Sequence, residues 1–168
     1  MEDFAVHENQ GRSKLMIVRD LWWVLVQVPL IALAYFLPMR SGAAAHTLPE
    51  WLVRFAGAAL VLVAVPMALA AVITLGRCLT PFPRPVEHAR LRVRGVYGVV
   101  RHPMYCALIL SATGWSMWSL SWPGVVFAAV LGLFFDRKAS YEESWLSLKF
   151  ASYSDYQKRV KKLIPWIY

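Results

Sequence analysis

Long apolar runs alternate along the chain with polar, strongly basic stretches. The first run, residues 21–39, contains no charged residue, and the second, residues 51–75, contains only Arg54, near its start. A helix rises 1.5 Å per residue, so each run is long enough to cross the roughly 30 Å hydrocarbon core of a bilayer. The pattern predicts two membrane-spanning helices in the first half of the chain.

Two shorter apolar runs follow in the second half. Residues 104–121 carry no charge over 18 positions, whereas residues 123–135 make only 13 and are marginal as an independent span. The connection between them, 119–123, is very short, which favours a helical hairpin. The predicted fold is all-α: an integral membrane helical bundle with about four membrane-embedded segments, the last two a hairpin, and a cytoplasmic C-terminal helical tail.

Composition and length agree with one membrane domain. Hydrophobic residues are 58% of the 168 positions and charged residues only 17%, an apolar share that needs lipid to cover it. We expect a single domain over 1–168. Residues 1–75 would form the N-terminal spans, and residues 76–168 the central loop, the hairpin and the tail.

The net charge of +8 follows the membrane pattern and does not indicate nucleic acid. Of the 18 lysines and arginines, three precede the first span, six lie in 77–101 and seven in 137–162. Basic residues concentrate on the cytoplasmic side of membrane proteins. The pattern therefore predicts a multi-pass integral membrane protein whose two termini and central loop face the cytoplasm.

The spans themselves carry little chemistry. No Asp, Glu, Lys or His lies in the central part of any apolar run, which argues against a proton relay or an ion pathway. Cys78 and Cys106 are 28 residues apart and form no metal or redox motif, so we expect no metal. Reactive side chains are confined to the central loop and the tail.

In the central loop, proline and glycine set the local structure. Pro81, Pro83 and Pro85 alternate with other residues and favour an extended path, and Gly95 and Gly98 permit a tight turn.

The end of this loop reads as a helix start, because Pro103 follows His102 and a proline costs no hydrogen bond in the first helical turn. The free N–H groups there, beside Arg101, could bind a carboxylate. Alternatively, Arg101 and its neighbours anchor the protein to lipid phosphates.

The tail contains an acidic pair in a basic region. On a helix, Lys138 and Glu142 share one face while Glu143 turns aside. The pair could hold an ammonium group, or Lys138 and Glu142 could form an ordinary surface ion pair. Periodicity does not decide between these interpretations.

Loop and tail together resemble one enzyme family. The stretch GVYGVVRHPMY (95–105) is followed by EESWLSLKFASYSDYQKRV (142–160) and LIPWI (163–167). This order and spacing resemble the isoprenylcysteine carboxyl methyltransferases and phospholipid methyltransferases, integral membrane enzymes that use S-adenosylmethionine. The resemblance covers roughly residues 77–168.

The resemblance implies roles for individual residues. The cofactor S-adenosylmethionine would be bound by residues of both stretches: His88, Arg90, Leu91, Tyr97, Arg101, His102, Pro103, Met104, Tyr105, Glu142 and Glu143. In the carboxyl methyltransferases an arginine shortly before the glutamates holds the substrate carboxylate. The aligned residue here is Lys138, with Arg137 beside it, and lysine binds a carboxylate as a point charge and not as a bidentate fork.

The implied function is methyl transfer to a membrane lipid or lipidated acceptor, and a carboxylate such as that of a prenylcysteine is favoured. A phospholipid amine or a small thiol is the alternative acceptor. Two other classes remain: a non-catalytic membrane protein of the same fold, and a lipid-binding or transport protein. The absence of polar residues at the predicted bilayer midplane argues against transport.

Overall fold

The computed structural model describes residues 2–40 and 48–168, with side chains for residue 18, residues 20–39 and residues 48–168. Residues 41–47, most of the loop between the first two spans, lie outside the described residues. So do the side chains of Arg12, Lys14, Arg19 and Arg40, which entered the charge count.

The described chain is mainly α-helical, as predicted. They are α1 (Glu2–Arg40), α2 (Glu50–Leu75), α3 (Pro103–Trp118), α4 (Trp122–Lys149) and α5 (Tyr153–Arg159). Short 3-10 turns at Gly76–Cys78 and Gly95–Gly98 punctuate the loop between α2 and α3. Within the described ranges the extended structure is limited to a bridge between Val100 and Lys161.

Two helical stretches, Asp20–Met39 and Glu50–Cys78, are long and apolar enough to cross a membrane. They coincide with the first two predicted spans. Large apolar side chains stand exposed on their outer faces, among them Trp22, Phe55, Leu62 and Ile73. An apolar outer surface of this kind suits contact with lipid.

The predicted hairpin is confirmed, but α4 is much longer than the apolar run that predicted it. The turn is closed by Ser121, whose Oγ accepts a hydrogen bond from the N–H of Gly124 at 3.1 Å. The helix then continues for 28 residues, through the acidic pair to Lys149. No glycine or proline interrupts residues 133–149, so the helix does not stop where the apolar side chains end.

Helix α3 is the centre of the bundle, packed against α2 on one side and α4 on the other. The backbones of α2 and α3 approach most closely at Gly57 and Gly114, where a Cβ on either residue would lie 2.5 Å from the other's carbonyl oxygen. On the opposite side, α1 packs on α4 and α3 around Ala34, Ala112 and Phe135.

The C-terminal segment folds back onto the start of α3. The N–H groups of Arg101 and His102 donate to the carbonyl oxygens of Lys161 and Lys162 at 2.8 and 3.1 Å. The Lys162 ammonium reaches α4 and bonds Asp136 at 2.9 Å. These contacts hold the loop, the tail and α4 together around one cavity.

Candidate active site

The cavity lies between the loop, the N-terminal turn of α3, the second half of α4, and α5. Its empty space, including the part open to solvent, is about 890 Å³. Nine residues expected to bind the cofactor line it: Arg90, Leu91, Tyr97, Arg101, His102, Pro103, Met104, Tyr105 and Glu142. His88, Glu143, Lys138 and Arg137 do not.

Glu143 is the centre of the hydrogen-bond network beneath the cavity. Its carboxylate accepts hydrogen bonds from Arg101 Nε at 2.7 Å and Gln157 Nε2 at 3.1 Å, and it lies 3.0 Å from His102 Nε2. Burial alone would raise the pKa of Glu143, but the hydrogen bonds from His102 and Arg101 outweigh it and lower the pKa to about 2. Glu143 therefore orients His102 and Arg101 from outside the lining.

The structure contradicts the interpretation of Arg101 as a lipid-phosphate anchor. Besides its ion pair with Glu143, the guanidinium donates from Nη1 to the carbonyl oxygens of Gln157 at 3.1 Å and Val160 at 2.5 Å. A guanidinium with these internal partners, and a side chain only 11% exposed, ties the tail to α3 and does not reach out to lipid.

Glu142, in contrast, faces the cavity. Tyr105 donates its hydroxyl to Oε2 of Glu142 at 2.8 Å, and His102 Nδ1 lies 3.8 Å from the same oxygen. The Tyr105 ring is stacked between His102, at 5.4 Å, and Phe135, at 4.7 Å between centroids. Oε1 of Glu142 has no donor among the described residues, so it is free to accept a hydrogen bond from a ligand.

The interpretation of Lys138 and Glu142 as an ordinary surface ion pair is wrong, because Lys138 is fully buried. Its ammonium donates to Oε1 of Gln27, on α1, and to the carbonyl oxygen of Pro81, on the loop. Burial lowers the pKa of Lys138 to about 8. Lys138 thus joins three segments behind the ring of Tyr105, whose centroid is 5.7 Å from Nζ.

Arg137, the neighbour proposed as an alternative to Lys138, is exposed on α4 outside the cavity lining. His88 is also exposed and lies outside it, although its neighbour Ala89 contributes to the wall.

The structure adds lining residues that the sequence analysis did not assign. Tyr153 and Tyr156 of α5 face the cavity, and Tyr156 donates its hydroxyl to the carbonyl oxygen of Tyr97 at 2.5 Å. The Tyr153 hydroxyl is buried with no partner among the described residues. Burial raises the pKa of Tyr97 and of Tyr153 well above the ordinary value, so both stay protonated and can donate. The FASY stretch, part of the family resemblance, was the available signal for Tyr153.

The cavity lining also contains apolar side chains. They include Leu75, the last residue of α2, then Leu79, and Phe82 in the proline segment, residues 81–85. Leu79 and Phe82 are both partly exposed. Among the described residues no group of three or more His, Cys, Asp or Glu side chains is arranged to hold a metal ion.

Comparison with known proteins places these features in a family. A family model described as phospholipid methyltransferase matches residues 52–152. The chain is 32% identical over 123 residues to protein-S-isoprenylcysteine O-methyltransferase A of Arabidopsis thaliana, across 70% of this chain and 62% of that protein. It is 31% identical over 121 residues to a probable protein-S-isoprenylcysteine O-methyltransferase of Oryza sativa subsp. indica, across 70% and 63%. The chain spans less than two thirds of the length of these relatives.

Proposed function

This chain belongs to the phospholipid methyltransferase family, and on that premise we propose that it transfers a methyl group from S-adenosylmethionine to the carboxylate of a lipid-like acceptor such as a prenylcysteine. The observation that carries the proposal is the cavity itself. Its lining combines the polar side chains of His102, Tyr105 and Glu142 with the apolar side chains of Leu75, Leu79 and Phe82. A soluble donor and an apolar acceptor can meet in such a space.

The residues present fit the cofactor. Tyr97, Arg90 and Leu91 would cover the adenosine, while the free Oε1 of Glu142 and the unpartnered hydroxyl of Tyr153 supply an acceptor and a donor for its polar groups. When bound, S-adenosylmethionine supplies an electrophilic methyl group.

The protein's own task in this reaction is to position and shield the reactants. A carboxylate acceptor is ionised at neutral pH and attacks without losing a proton, so no general base is required. An amine or thiol acceptor would first need deprotonation. The Tyr105 hydroxyl and His102 already have partners in the protein: Tyr105 donates to Glu142, and His102 is held by Glu143. The aromatic rings around them would exclude water from the reacting centre.

Lys138, proposed from the sequence to bind the acceptor carboxylate, is better suited to a positioning role. Both oxygens that its ammonium meets belong to the protein, and it has no exposed surface. We propose that it fixes the proline segment against α4 and so sets the width of the cavity. Arg137 would act only through a rotation of α4.

For topology we propose four membrane-embedded segments, with both termini, the loop and the cavity on the cytoplasmic side. The basic residues of 77–101 and 137–162 support this orientation. A cysteine placed at Arg94 should react with a membrane-impermeant reagent only after cells are opened. Labelling of that position in intact cells would contradict the proposed orientation.

Methyl transfer can be tested with the purified protein in lipid nanodiscs and methyl-labelled S-adenosylmethionine. Three acceptors distinguish the chemistry: N-acetyl-S-farnesylcysteine, its carboxamide, and phosphatidylethanolamine. We expect label in the first alone, as a methyl ester that alkali cleaves to methanol. Alkali-stable label in phosphatidylethanolamine would instead identify an amine acceptor, and no label in any of them would leave the proposed reaction unsupported.

A further inference from the structure

Arg84, in the proline segment, is held in a fixed orientation in the cavity wall. Its Nε lies 2.6 Å from Oδ2 of Asp20 on α1, and its Cζ lies 4.5 Å from the ring centroid of Trp145 on α4. Asp20 is itself fixed by the hydroxyl of Tyr141 at 3.2 Å. Two helices therefore set the plane of this guanidinium before any ligand arrives.

The guanidinium has hydrogen-bonding capacity that the protein does not use. None of its nitrogens makes a hydrogen bond among the described residues, and Nε and Nη2 are buried whereas Nη1 is not. Asp20 offsets the charge on the Nε side, but the N–H groups of Nη1 remain accessible and unpaired in a residue of the cavity wall. An accessible, unpaired guanidinium edge at this place points to an anionic ligand that completes it.

The other cations near the cavity are less suitable for that ligand. Arg101 is occupied by Glu143 and two carbonyl oxygens, and Lys138 is fully buried with two oxygen partners. Arg90 and Arg92 line the cavity but are exposed, where an ion pair with a ligand is weakened by water. The guanidinium of Arg84 is partly buried and already oriented, and its planar, forked arrangement of N–H groups suits a carboxylate.

The surroundings of Arg84 indicate what carries the anion. Phe82, two residues before it, lines the same cavity, and so do Leu79 and Leu75. A cation in a cavity that also has apolar lining fits an acid with a hydrocarbon tail. Resting on the proposed function, we propose that Arg84 binds the carboxylate of the lipid-like acceptor and selects acids over neutral analogues.

The test compares the binding of N-acetyl-S-farnesylcysteine and its carboxamide by wild type and Arg84→Gln, with saturating S-adenosylhomocysteine. Wild type should prefer the acid. Arg84→Gln should bind the acid about 10- to 150-fold more weakly, the loss expected for a charge-assisted hydrogen bond. Its affinity for the carboxamide should stay within about threefold of wild type, as should that for S-adenosylhomocysteine, which carries its own carboxylate. Arg77→Gln, at an exposed arginine outside the lining, is the matched control.

Two further variants keep the test decisive if Arg84→Gln folds poorly. Arg84→Lys retains the charge without the fork, and Asp20→Asn retains Arg84 without its charged orienting partner. Each should weaken the preference for the acid. An undiminished preference in the Arg84 variants overturns the inference while wild-type methylation leaves the proposed function intact. Weaker S-adenosylhomocysteine binding with an unchanged preference for the acid would assign Arg84 to the donor instead. If wild type neither binds nor methylates the acid, the proposed function itself fails.

Discussion

Glu143→Ala is expected to lower the free energy of unfolding by about 3–5 kcal/mol, the usual loss when one partner of a buried ion pair is removed. The substitution leaves the guanidinium of Arg101 without its carboxylate and removes the hydrogen-bond partner of His102 and Gln157. The same carboxylate holds the tail against the start of α3. The variant should therefore lose ligand binding in the cavity as well as stability. Thermal unfolding in detergent measures the first effect.

The dependence of stability on pH in the acid range gives a second test of the role of Glu143. The pKa of Glu143 is lowered from 4.5 to about 2, so its stabilising contribution is complete above pH 4.5 and is lost as the pH falls toward 2. Glu143→Gln should remove that part of the acid dependence. Glu142→Gln is the matched control, because Glu142 contacts only the edge of this network and should lose little stability. Equal destabilisation by the two substitutions would contradict the division of roles between the adjacent glutamates.

Gly114→Val should be the most damaging substitution between α2 and α3, with a loss of at least about 3 kcal/mol, at the upper end for overpacking. A Cβ at Gly114 would lie 2.5 Å from the carbonyl oxygen of Gly57 and 2.9 Å from a methyl group of Val61. Backbone cannot move aside as a flexible side chain can, so the helices must separate. The loss is measured by thermal unfolding in detergent.

Gly132→Ala, on α4, is the control at a glycine where no backbone lies close. A Cβ at Gly132 meets nothing closer than 3.8 Å, and alanine favours the helix, so stability should be unchanged or slightly increased. A harmless Gly114→Val would mean that the close contact between α2 and α3 is not required.

The apolar runs were sufficient to predict the positions of the main helices, because length and absence of charge are properties of a single segment. The end of α4 was not predictable in this way, since helical structure continues where the hydrophobic signal stops. The start of α3 at Pro103, directly after His102, was correctly predicted, because the preference of proline for the first helical turn is also local.

The division of labour between the two glutamates could not be read from periodicity. Helical spacing relates Glu142 to Lys138, but the partners that define Glu143 are Arg101 and Gln157, 42 and 14 positions away. The same holds for Arg84, whose neighbours Asp20 and Trp145 come from the first and fourth helices. These long-range contacts depend on how the helices and the tail fold back, which no local pattern specifies.

The most direct test of the central claim is the rate of alkali-labile methyl transfer to N-acetyl-S-farnesylcysteine by wild type and Glu142→Ala. Wild type should form the methyl ester, and Glu142→Ala, with the fold intact by thermal unfolding, should need about 10- to 150-fold more S-adenosylmethionine for half-maximal rate. Arg77→Ala should behave as wild type. Ester formation with an unchanged donor requirement in Glu142→Ala would contradict the assignment of this cavity to the donor.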